Sequence, residues 1–355
     1  MSTHWSWVLG GAEYQVSLII DKLVADENLD VTFITRNVDL SFSPNGYTIK
    51  KIKKGRFSRY SKVFDTINLL STLEEVQPDI IYQRAGSAYT GICAWYAKNK
   101  NIPMVWHISH DMDVNPKIGV KKSVINRLEK FFIKYGIHNS RNIIAQTNNQ
   151  AILLDKNYKI KTNNIIRNFH PIPNKNINKE NKIKIVWVAN FKPMKQPELF
   201  VRLAKELDNE INVNFTMIGR CNNKSRYNKL ISSINTIESL DYVGVKSQEQ
   251  VNNIFLESHL LINTSKLEGF SNTFIQAWMR EVPVITITVD PDDIIKKNNI
   301  GICAGSYEKL KDTVVDLISS PERISQMGKQ GKHYAYNNHS MKNIDQILDI
   351  LTHPL

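Results

Sequence analysis

The residue types best suited to chemistry lie close together in LLINTSKLEGFSNTFIQAWMREVPVITI, residues 260–287. The pattern of this stretch predicts a strand, a loop, a helix and a second strand. Ser271 or Asn272 can cap the helix, whose first backbone amides would attract phosphate, and Gly269 would let a ligand approach the backbone. Glu268 could accept hydrogen bonds from sugar hydroxyls at the same place. The spacing leaves open an ordinary capped helix with a solvated glutamate.

Other signatures of catalysis are absent from the sequence. No GxSxG, HExxH or GxxxxGK[ST] motif occurs, and no two carboxylates are set for acid and base hydrolysis. The three cysteines form no CxxC pair, so neither a disulfide framework nor a zinc ribbon is indicated. A reducing cytoplasm fits this cysteine usage best. The first residues lack a signal-peptide pattern, and no apolar run approaches a membrane span, so we expect a protein that is soluble or peripheral to a membrane.

The elements that must position these residues follow from hydrophobic periodicity. Short runs rich in Val, Ile and Phe alternate with stretches of helical period, a pattern typical of parallel α/β sheets. The first half contains predicted strands at residues 31–35, 79–82, 103–108, 142–146 and 164–167, and helices near 12–25, 61–76, 87–99 and 120–135. The second half contains strands within 183–190, 213–219, 259–265 and 283–289, and helices near 196–207, 226–236, 248–257, 272–281 and 306–319.

The length of 355 residues predicts two domains. The segment 168–182 has two prolines, repeated Asn and Lys and no periodicity, which are features of a linker. We therefore predict domains at 1–169 and 170–335, and a C-terminal helix within 336–355 that packs back toward the first domain. Doubly wound sheets bind ligands beyond the carboxyl ends of their strands, so the cleft between the domains is the expected site.

The segment EGFSNTFIQAWMREVPVI resembles the E-x7-E signature of the retaining nucleotide-sugar glycosyltransferases of family 4. This resemblance implies an α/β GT-B fold, in which two Rossmann-like domains face each other across a cleft. It also implies that Glu268 hydrogen-bonds the donor sugar, while Gln276, in place of the second glutamate, binds the nucleotide ribose. Glu281 stands where the family usually has glycine. The donor-binding residues that the resemblance implies in this segment are Gly269, Phe270, Ser271, Asn272 and Gln276.

A second segment, VWVANFKPMKQPELFVRLAKEL at 186–207, is similar to the family's strand followed by GRxxxxKG and a helix. The resemblance implies that Lys195 contacts the donor diphosphate. Asn190 replaces the usual arginine in the donor site, and Lys192 or Arg220 could supply the missing charge. Without the resemblance, a surface lysine would be the simpler interpretation, because the helix dipole disfavours a cation at a helix start.

The N-terminal half carries three further candidates. Gly10 and Gly11 resemble the family's GGAE loop, which faces the donor phosphates, although a plain turn is the alternative. The WSWVL stretch before them is either a remnant of the family's first strand, or the sequence begins late. Arg84 lies in a segment similar to the family's strand and turn with a YxR element, and could line the cleft; a surface ion pair is equally compatible.

The family also has a histidine that contacts the donor sugar, in the region matching IPMVWHISHDMD at 102–113. We prefer His107, which follows the apolar run directly, with His110 and Asp111 as alternates. An isolated histidine at a strand end is more often structural than catalytic.

The charge balance of 46 Lys and Arg against 34 Asp and Glu gives a net charge of +12, which indicates an anionic partner. A helix at 116–137 would place lysines 122, 130 and 134 opposite an apolar side formed by residues 120, 124, 128, 131, 132 and 135. Such a helix either packs on its own sheet, the simpler interpretation, or lies on an anionic membrane. A second basic cluster lies at 50–62. Nucleic acid is the least supported partner, because no helix-turn-helix, zinc-finger or RNP-like motif occurs.

The resemblance implies transfer of a hexosyl group from a nucleotide-diphosphate donor to a saccharide or lipid-linked acceptor, with retention and without metal or cofactor. Bacterial cell-surface polysaccharide or glycolipid synthesis at the inner face of the cytoplasmic membrane would suit such an enzyme. An epimerase or phosphorylase on the same architecture is one alternative. A catalytically impaired nucleotide-sugar-binding subunit is the other, motivated by Asn190, Gln276 and Glu281.

Overall fold

The computed structural model describes residues 3–8, 10–53, 55, 57, 60–115, 124–180, 182–208 and 213–353. Contacts divide the chain into two compact units, one formed by residues 1–169 with 342–355 and the other by residues 170–341. The strand pairs of the described residues are all parallel in both units. The predicted α/β class is therefore confirmed.

The first unit contains two small sheets. Strands β1 (Thr32–Thr35) and β2 (Thr48–Lys51) form one, and β3 (Ile81–Arg84), β4 (Met104–His107) and β5 (Asn142–Ile144) form the other in that order. The helices of this part of the chain are α1 (Gly11–Leu23), α2 (Thr66–Val76), α3 (Ala88–Lys100), α4 (Asp111–Val114), α5 (Val124–Asn139) and α6 (Asn148–Tyr158). A 3-10 turn at Lys62–Asp65 leads into α2.

One predicted strand of this unit is wrong. Residues 164–167 form only a single bridge, between Ala145 and Ile165. Of the two alternatives for the WSWVL stretch, a strand remnant is not what the structure shows, because residues 5–7 form a turn. Strand β2 was missed because its side chains are all partly or fully exposed, which gives no buried apolar run to recognise.

Helix α5 is held on the unit by an unusually close helix crossing. A Cβ atom added at Gly91 of α3 would lie 2.2 Å from the carbonyl oxygen of Phe132, and one at Gly136 of α5 would lie 2.6 Å from the backbone of Thr90. Only glycine permits this approach of two helix backbones. The crossing turns the Gly136 side of α5 toward the core, where Ile137 is buried.

The second unit contains one six-stranded sheet in the order β11-β10-β9-β6-β7-β8. The strands are β6 (Ile183–Val188), β7 (Val213–Ile218), β8 (Leu240–Tyr242), β9 (Leu260–Asn263), β10 (Val284–Thr286) and β11 (Gly301–Cys303). The helices are α7 (Pro197–Leu207), α8 (Lys224–Ile234), α9 (Gln248–Glu257), α10 (Asn272–Trp278), α11 (Ile294–Lys297), α12 (Tyr307–Ile318) and α13 (Pro321–Asn338). Helix α14 (Lys342–Thr352) follows and belongs to the first unit.

The strand order reverses at β6. From this strand the chain builds outward through β7 and β8 on one side, and through β9, β10 and β11 on the other. Alternate residues of β6 enter two different cores, Ile185 and Trp187 on one face of the sheet and Val186 on the other. A ligand crevice is expected at such a reversal, beyond the carboxyl ends of the two diverging strands. Here those strands are β6 and β9.

Candidate functional site

Two loops meet at the carboxyl ends of β6 and β9. The first runs from Ala189 to Gln196, and the second from Thr264 to Ser271. The Thr264 hydroxyl donates a hydrogen bond of 2.6 Å to the Lys195 carbonyl oxygen and accepts one of 2.9 Å from Trp187 Nε1. These contacts fix the position of the Lys195 backbone beside β9.

Lys195 and Glu268, which are 73 residues apart in sequence, form an ion pair across these loops. The same carboxylate oxygen, Oε1, accepts a hydrogen bond of 2.7 Å from the Ser265 hydroxyl and lies 3.5 Å from Asn263 Nδ2. Both side chains of the ion pair are only partly buried. The arrangement holds a carboxylate and an ammonium group side by side, where they could bind sugar hydroxyls and phosphate respectively.

Ser265 and Asn263 were not predicted. Asn263 is the last residue of β9, and its Oδ1 accepts a hydrogen bond of 3.0 Å from the Ser265 amide, so the loop turns as soon as the strand ends. Polar residues directly after a buried strand are the signal that could have identified them.

The start of helix α10 differs from the prediction. Ser271 occupies the N-cap position, but its hydroxyl hydrogen-bonds the Thr273 hydroxyl at 2.8 Å and caps no backbone amide. Asn272 is the first helical residue and therefore does not cap the helix. Gly269 and Phe270 are buried, and the Phe270 ring packs against Trp278.

Gln276 points into the protein. Its side chain is only 2% exposed, and its amide nitrogen donates hydrogen bonds to Gln248 Oε1 at 2.8 Å and Asn252 Oδ1 at 2.9 Å, both on α9. In this conformation the amide joins α10 to α9. Contact with a ribose would require these hydrogen bonds to be exchanged.

Asn190 joins the loops that follow β6 and β7. Its Oδ1 accepts a hydrogen bond of 3.0 Å from the Arg220 amide, and the Phe191 amide donates one of 2.9 Å to the Arg220 carbonyl. Gly219 makes this possible, because a Cβ there would lie 1.8 Å from the Ala189 oxygen and its φ is +147°. The backbone of Arg220 is thus carried to the same edge of the sheet as Lys195, while Lys192 is exposed in the β6 loop.

Glu281 adopts a left-handed conformation, with φ +58°. Glycine would take this conformation without strain, whereas a residue with a side chain must be held in it by contacts. Here the Lys332 ammonium contacts the Glu281 carboxylate at 2.8 Å, and Lys179 donates a hydrogen bond of 2.6 Å to its carbonyl. These contacts hold the residue in its turn.

In the first unit, Arg84 and His107 are brought together in the interior. His107 Nδ1 lies 2.8 Å from the Tyr82 hydroxyl and 3.3 Å from Arg84 Nη1, and Arg84 Nη2 donates a hydrogen bond of 2.6 Å to Asn168 Oδ1. Burial, followed by the Arg84 charge, holds the pKa of His107 well below its ordinary value. The imidazole is therefore neutral at pH 7.

This burial reverses the preference between the two histidines. His107 is 1% exposed and would have to move to touch a ligand. His110 is only partly buried, and its Nδ1 accepts a hydrogen bond of 3.1 Å from the Met112 amide at the start of α4, which leaves the proton on Nε2. Asp111 accepts hydrogen bonds from Asn149 and Gln150 on α6. Among these three residues, His110 is the better candidate for ligand contact.

The predicted glycine loop near the N-terminus is the start of a helix. Gly10 is the N-cap residue of α1, and Gly11 is its first residue. A Cβ at Gly10 would lie 2.5 Å from a Glu13 carboxylate oxygen, so glycine gives this carboxylate room to fold back over the helix start. A carboxylate at this end of a helix is favoured by the helix dipole.

Known proteins resemble both halves of the chain. Residues 168–334 match the family model described as glycosyl transferases group 1, and residues 9–172 match the model described as Glycosyltransferase Family 4. HepE of Anabaena, solved in complex with UDP and glucose, has a TM-score of 0.76 at 13% identity, with 99% of this chain and 98% of HepE covered. The chain has the architecture of a GT-B glycosyltransferase. The predicted GT-B fold is thereby confirmed.

Two more known proteins are similar to this chain. WaaG, a glycosyltransferase involved in lipopolysaccharide biosynthesis, has a TM-score of 0.75 at 15% identity, with 99% of this chain and 98% of WaaG covered. An uncharacterised glycosyltransferase of Methanocaldococcus jannaschii is 24% identical over 212 residues. That match spans 58% of this chain and 58% of the length of the relative.

Within the described part of the chain, no group of three or more His, Cys, Asp or Glu side chains is arranged to hold a metal ion. None of the helices described is both long enough and apolar enough to cross a bilayer.

Proposed function

We propose that this GT-B protein transfers a hexosyl group from a nucleoside-diphosphate sugar to a saccharide or lipid-linked acceptor, with retention of configuration. The observation that carries the proposal is the Lys195–Glu268 ion pair at the point where the strand order of the second unit reverses. A cation for the diphosphate and a carboxylate for the sugar lie where this type of sheet binds its ligands. The complex of HepE with UDP and glucose supports the choice of donor class.

In the proposed reaction, the donor diphosphate replaces Glu268 as the partner of Lys195. The ammonium group would then stabilise the negative charge that grows on the diphosphate as the glycosidic bond breaks. Glu268, still held by the Ser265 hydroxyl, would accept hydrogen bonds from the sugar. Arg220 and Lys192, carried on neighbouring loops, could add to the positive potential. The resemblance to family 4 implies that these side chains do this without a metal or cofactor.

Residues of the first unit would contribute to the acceptor side. We propose that His110 contacts the donor sugar or the acceptor, because it is the more accessible of the two predicted histidines. Arg84 and His107, the last residues of β3 and β4, would hold the carboxyl ends of these strands in place from the interior. Their contacts with Asn168 and Tyr82 would do this. Synthesis of a cell-surface polysaccharide or glycolipid, at the cytoplasmic face of a membrane, is the setting that we propose.

The first test incubates the full chain with UDP-, GDP- and ADP-sugars and measures thermal shift and donor hydrolysis. We expect at least one nucleotide sugar to raise the unfolding midpoint and to be hydrolysed slowly. Glu268→Gln should lower kcat/KM for that donor by about 10- to 100-fold, because a hydrogen bond to a charged group is lost. Glu257→Gln is the matched control, since Glu257 also forms an ion pair, with Lys184 at 3.1 Å, but at the far end of α9.

The proposal fails if no nucleotide sugar binds. The assignment of Glu268 to the donor site fails if Glu268→Gln and Glu257→Gln have equal activity.

A catalytically impaired nucleotide-sugar-binding subunit is the second candidate. Two observations favour it: Gln276 is engaged with α9, and the Asn190 side chain is used in a loop contact. Nucleotide-sugar binding without hydrolysis in the same assays would support this candidate. Gln276→Glu should then increase donor affinity if the missing charge is the cause.

A further inference from the structure

A cavity of about 680 Å³ lies between helix α13 and the segment that opens the second unit. Residues 173–177 form one wall, and Met279, Glu281, Lys332 and Tyr336 form the other. Cavities that hold small molecules have volumes of roughly 300–1,000 Å³. The side chains that line this cavity are mostly polar or charged. It therefore suits a hydrophilic ligand.

The cavity and the Lys195–Glu268 ion pair lie at opposite edges of the same sheet. Glu281 follows α10 and precedes β10, so it lies at the amino end of that strand. The ion pair lies beyond the carboxyl ends of β6 and β9. Because the strands are parallel, their amino ends share one edge of the sheet and their carboxyl ends share the other. The cavity is therefore separate from the proposed donor site.

Close packing of α13 on the turn at Glu281 shapes the charged wall of the cavity. A Cβ atom added at Gly328 would lie 2.1 Å from the Glu281 carbonyl oxygen, so only glycine permits this approach. Lys332 and Tyr336 follow Gly328 at intervals of four residues and share its face of the helix. The Lys332 ammonium thus lies 2.8 Å from the Glu281 carboxylate and 5.9 Å from the centre of the Tyr336 ring.

In the described part of this wall, two ammonium groups lie beside one carboxylate. Lys179, which is partly buried, donates a hydrogen bond of 2.6 Å to the Glu281 carbonyl oxygen. Burial lowers the pKa of Lys179 to about 8, against the opposing effect of Glu281 and with the help of the Lys332 charge. The Lys179 amine is therefore still mainly protonated at pH 7. Two cations and one anion leave a net positive charge, which favours an anionic ligand.

Amide side chains line the opposite wall. Asn174 and Asn176 border the cavity, and each amide can both donate a hydrogen bond to a hydroxyl group and accept one from it. Lys175 lies between them in the sequence, but its ammonium contacts Asn253 at 3.1 Å and Glu249 at 3.6 Å, both on α9. This wall therefore offers hydrogen bonds to hydroxyl groups rather than a further unpaired charge.

We propose that this cavity binds a sugar phosphate. The phosphate would replace the Glu281 carboxylate as the partner of Lys332, and the sugar hydroxyls would hydrogen-bond Asn174 and Asn176. The Tyr336 ring would pack against the apolar face of the sugar. The proposal does not rest on glycosyl transfer, because binding at this edge of the sheet requires neither donor nor acceptor.

The test is calorimetric titration of the full chain, without nucleotide sugar, with the 1-phosphates and 6-phosphates of glucose, galactose and mannose. We expect at least one of these to bind roughly tenfold more tightly than inorganic phosphate, because the amides contact its hydroxyl groups. Lys332→Gln should weaken this binding by about tenfold or more, since a charge-assisted contact is lost. Glu281→Gln should strengthen it by about threefold, since the carboxylate no longer competes for Lys332.

Lys311→Gln is the matched control. Lys311 on α12 forms an ion pair of 3.3 Å with Glu206, at an exposure similar to that of the Lys332–Glu281 pair. Its replacement should leave sugar-phosphate binding unchanged. Lys332→Arg, which keeps the charge, should retain binding within about threefold. A purely structural Lys332–Glu281 pair would instead lower the unfolding midpoint in Lys332→Gln and Glu281→Gln without changing either affinity.

Four further results would overturn the proposal. They are no binding of any of these sugar phosphates, equal affinity for inorganic phosphate, equal losses for Lys332→Gln and Lys311→Gln, and loss of binding in Glu268→Gln. In the last case the sugar phosphate would occupy the proposed donor site and not this cavity.

Discussion

Single residues at the reversal of strand order show what sequence patterns can and cannot identify. The resemblance pointed to Lys195 and Glu268 separately, and the structure joins them. Thr264 gave no signal in the sequence, yet its hydroxyl is the contact that ties the Lys195 backbone to β9. Its role depends on a neighbouring strand that is distant in sequence, so local pattern could not reveal it.

Thr264→Val should therefore destabilise the protein. The change keeps the shape of the side chain but leaves the Trp187 indole and the Lys195 carbonyl without their buried partner, which costs about 1–3 kcal/mol in the free energy of unfolding. Thr286→Val is the matched control, because Thr286 is equally buried and its hydroxyl has no hydrogen-bond partner within the described residues. Urea unfolding should show no loss for this control. Equal losses for both variants would contradict the assigned role of Thr264.

At the level of elements, strong hydrophobic periodicity was sufficient to predict a strand or a helix, and weak periodicity was not. The central strands β4, β6 and β9 were predicted from their apolar runs, because both of their faces are buried. Strands β8 and β11 were missed because only one of the three residues in each is fully buried, which leaves no apolar run to recognise. Helix α13 was missed although it has 18 residues, because its composition is mostly polar.

The crossing of α3 and α5 can be tested at the same scale. Gly136→Ala should lower the free energy of unfolding by about 1–3 kcal/mol, since the new Cβ would overlap the backbone near Thr90. Helix propensity alone predicts the opposite sign, with a gain of about 1 kcal/mol for alanine. Overlap with backbone should win, because the neighbouring helix cannot move away without losing its own packing.

Denaturant unfolding of Gly136→Ala beside Lys134→Ala would decide between these effects. Lys134 lies on the exposed face of the same helix, so its replacement should change stability by less than about 0.5 kcal/mol. A more stable Gly136→Ala protein would show that the crossing is looser than described.

At the scale of the whole molecule, buried histidines make stability depend on pH. Burial lowers the pKa of His4, His170 and His259 to about 4. Their folded pKa lies below the ordinary value of about 6.5, so the unfolded chain binds more protons in between. Stability should be fully present above pH 6.5 and should fall as the pH drops toward 4. The midpoint of thermal unfolding, measured between pH 8 and pH 4.5, checks this.

His259→Asn isolates one of these groups. His259 Nδ1 accepts a hydrogen bond of 3.1 Å from the Lys184 amide, and the asparagine carbonyl can accept in its place without titrating. The variant should lose less stability than the wild type between pH 6.5 and pH 4.5. An identical pH dependence would mean that His259 makes no contribution and that general repulsion within this cationic protein is responsible.

The sequence by itself determined the alternation of strands and helices, the two halves of the chain and the identity of Lys195 and Glu268, because these are recorded in local periodicity and short motifs. Only the tertiary structure decided which strands are neighbours, and so brought Lys195, Glu268 and Ser265 together. It also decided that His107 is buried while His110 is more accessible, and that Val124, Leu128 and Phe131 of α5 face outward. The physical reason is that hydrophobic periodicity shows which residues share a face of a helix or strand. Packing between residues distant in sequence determines whether that face contacts the core, another element or solvent.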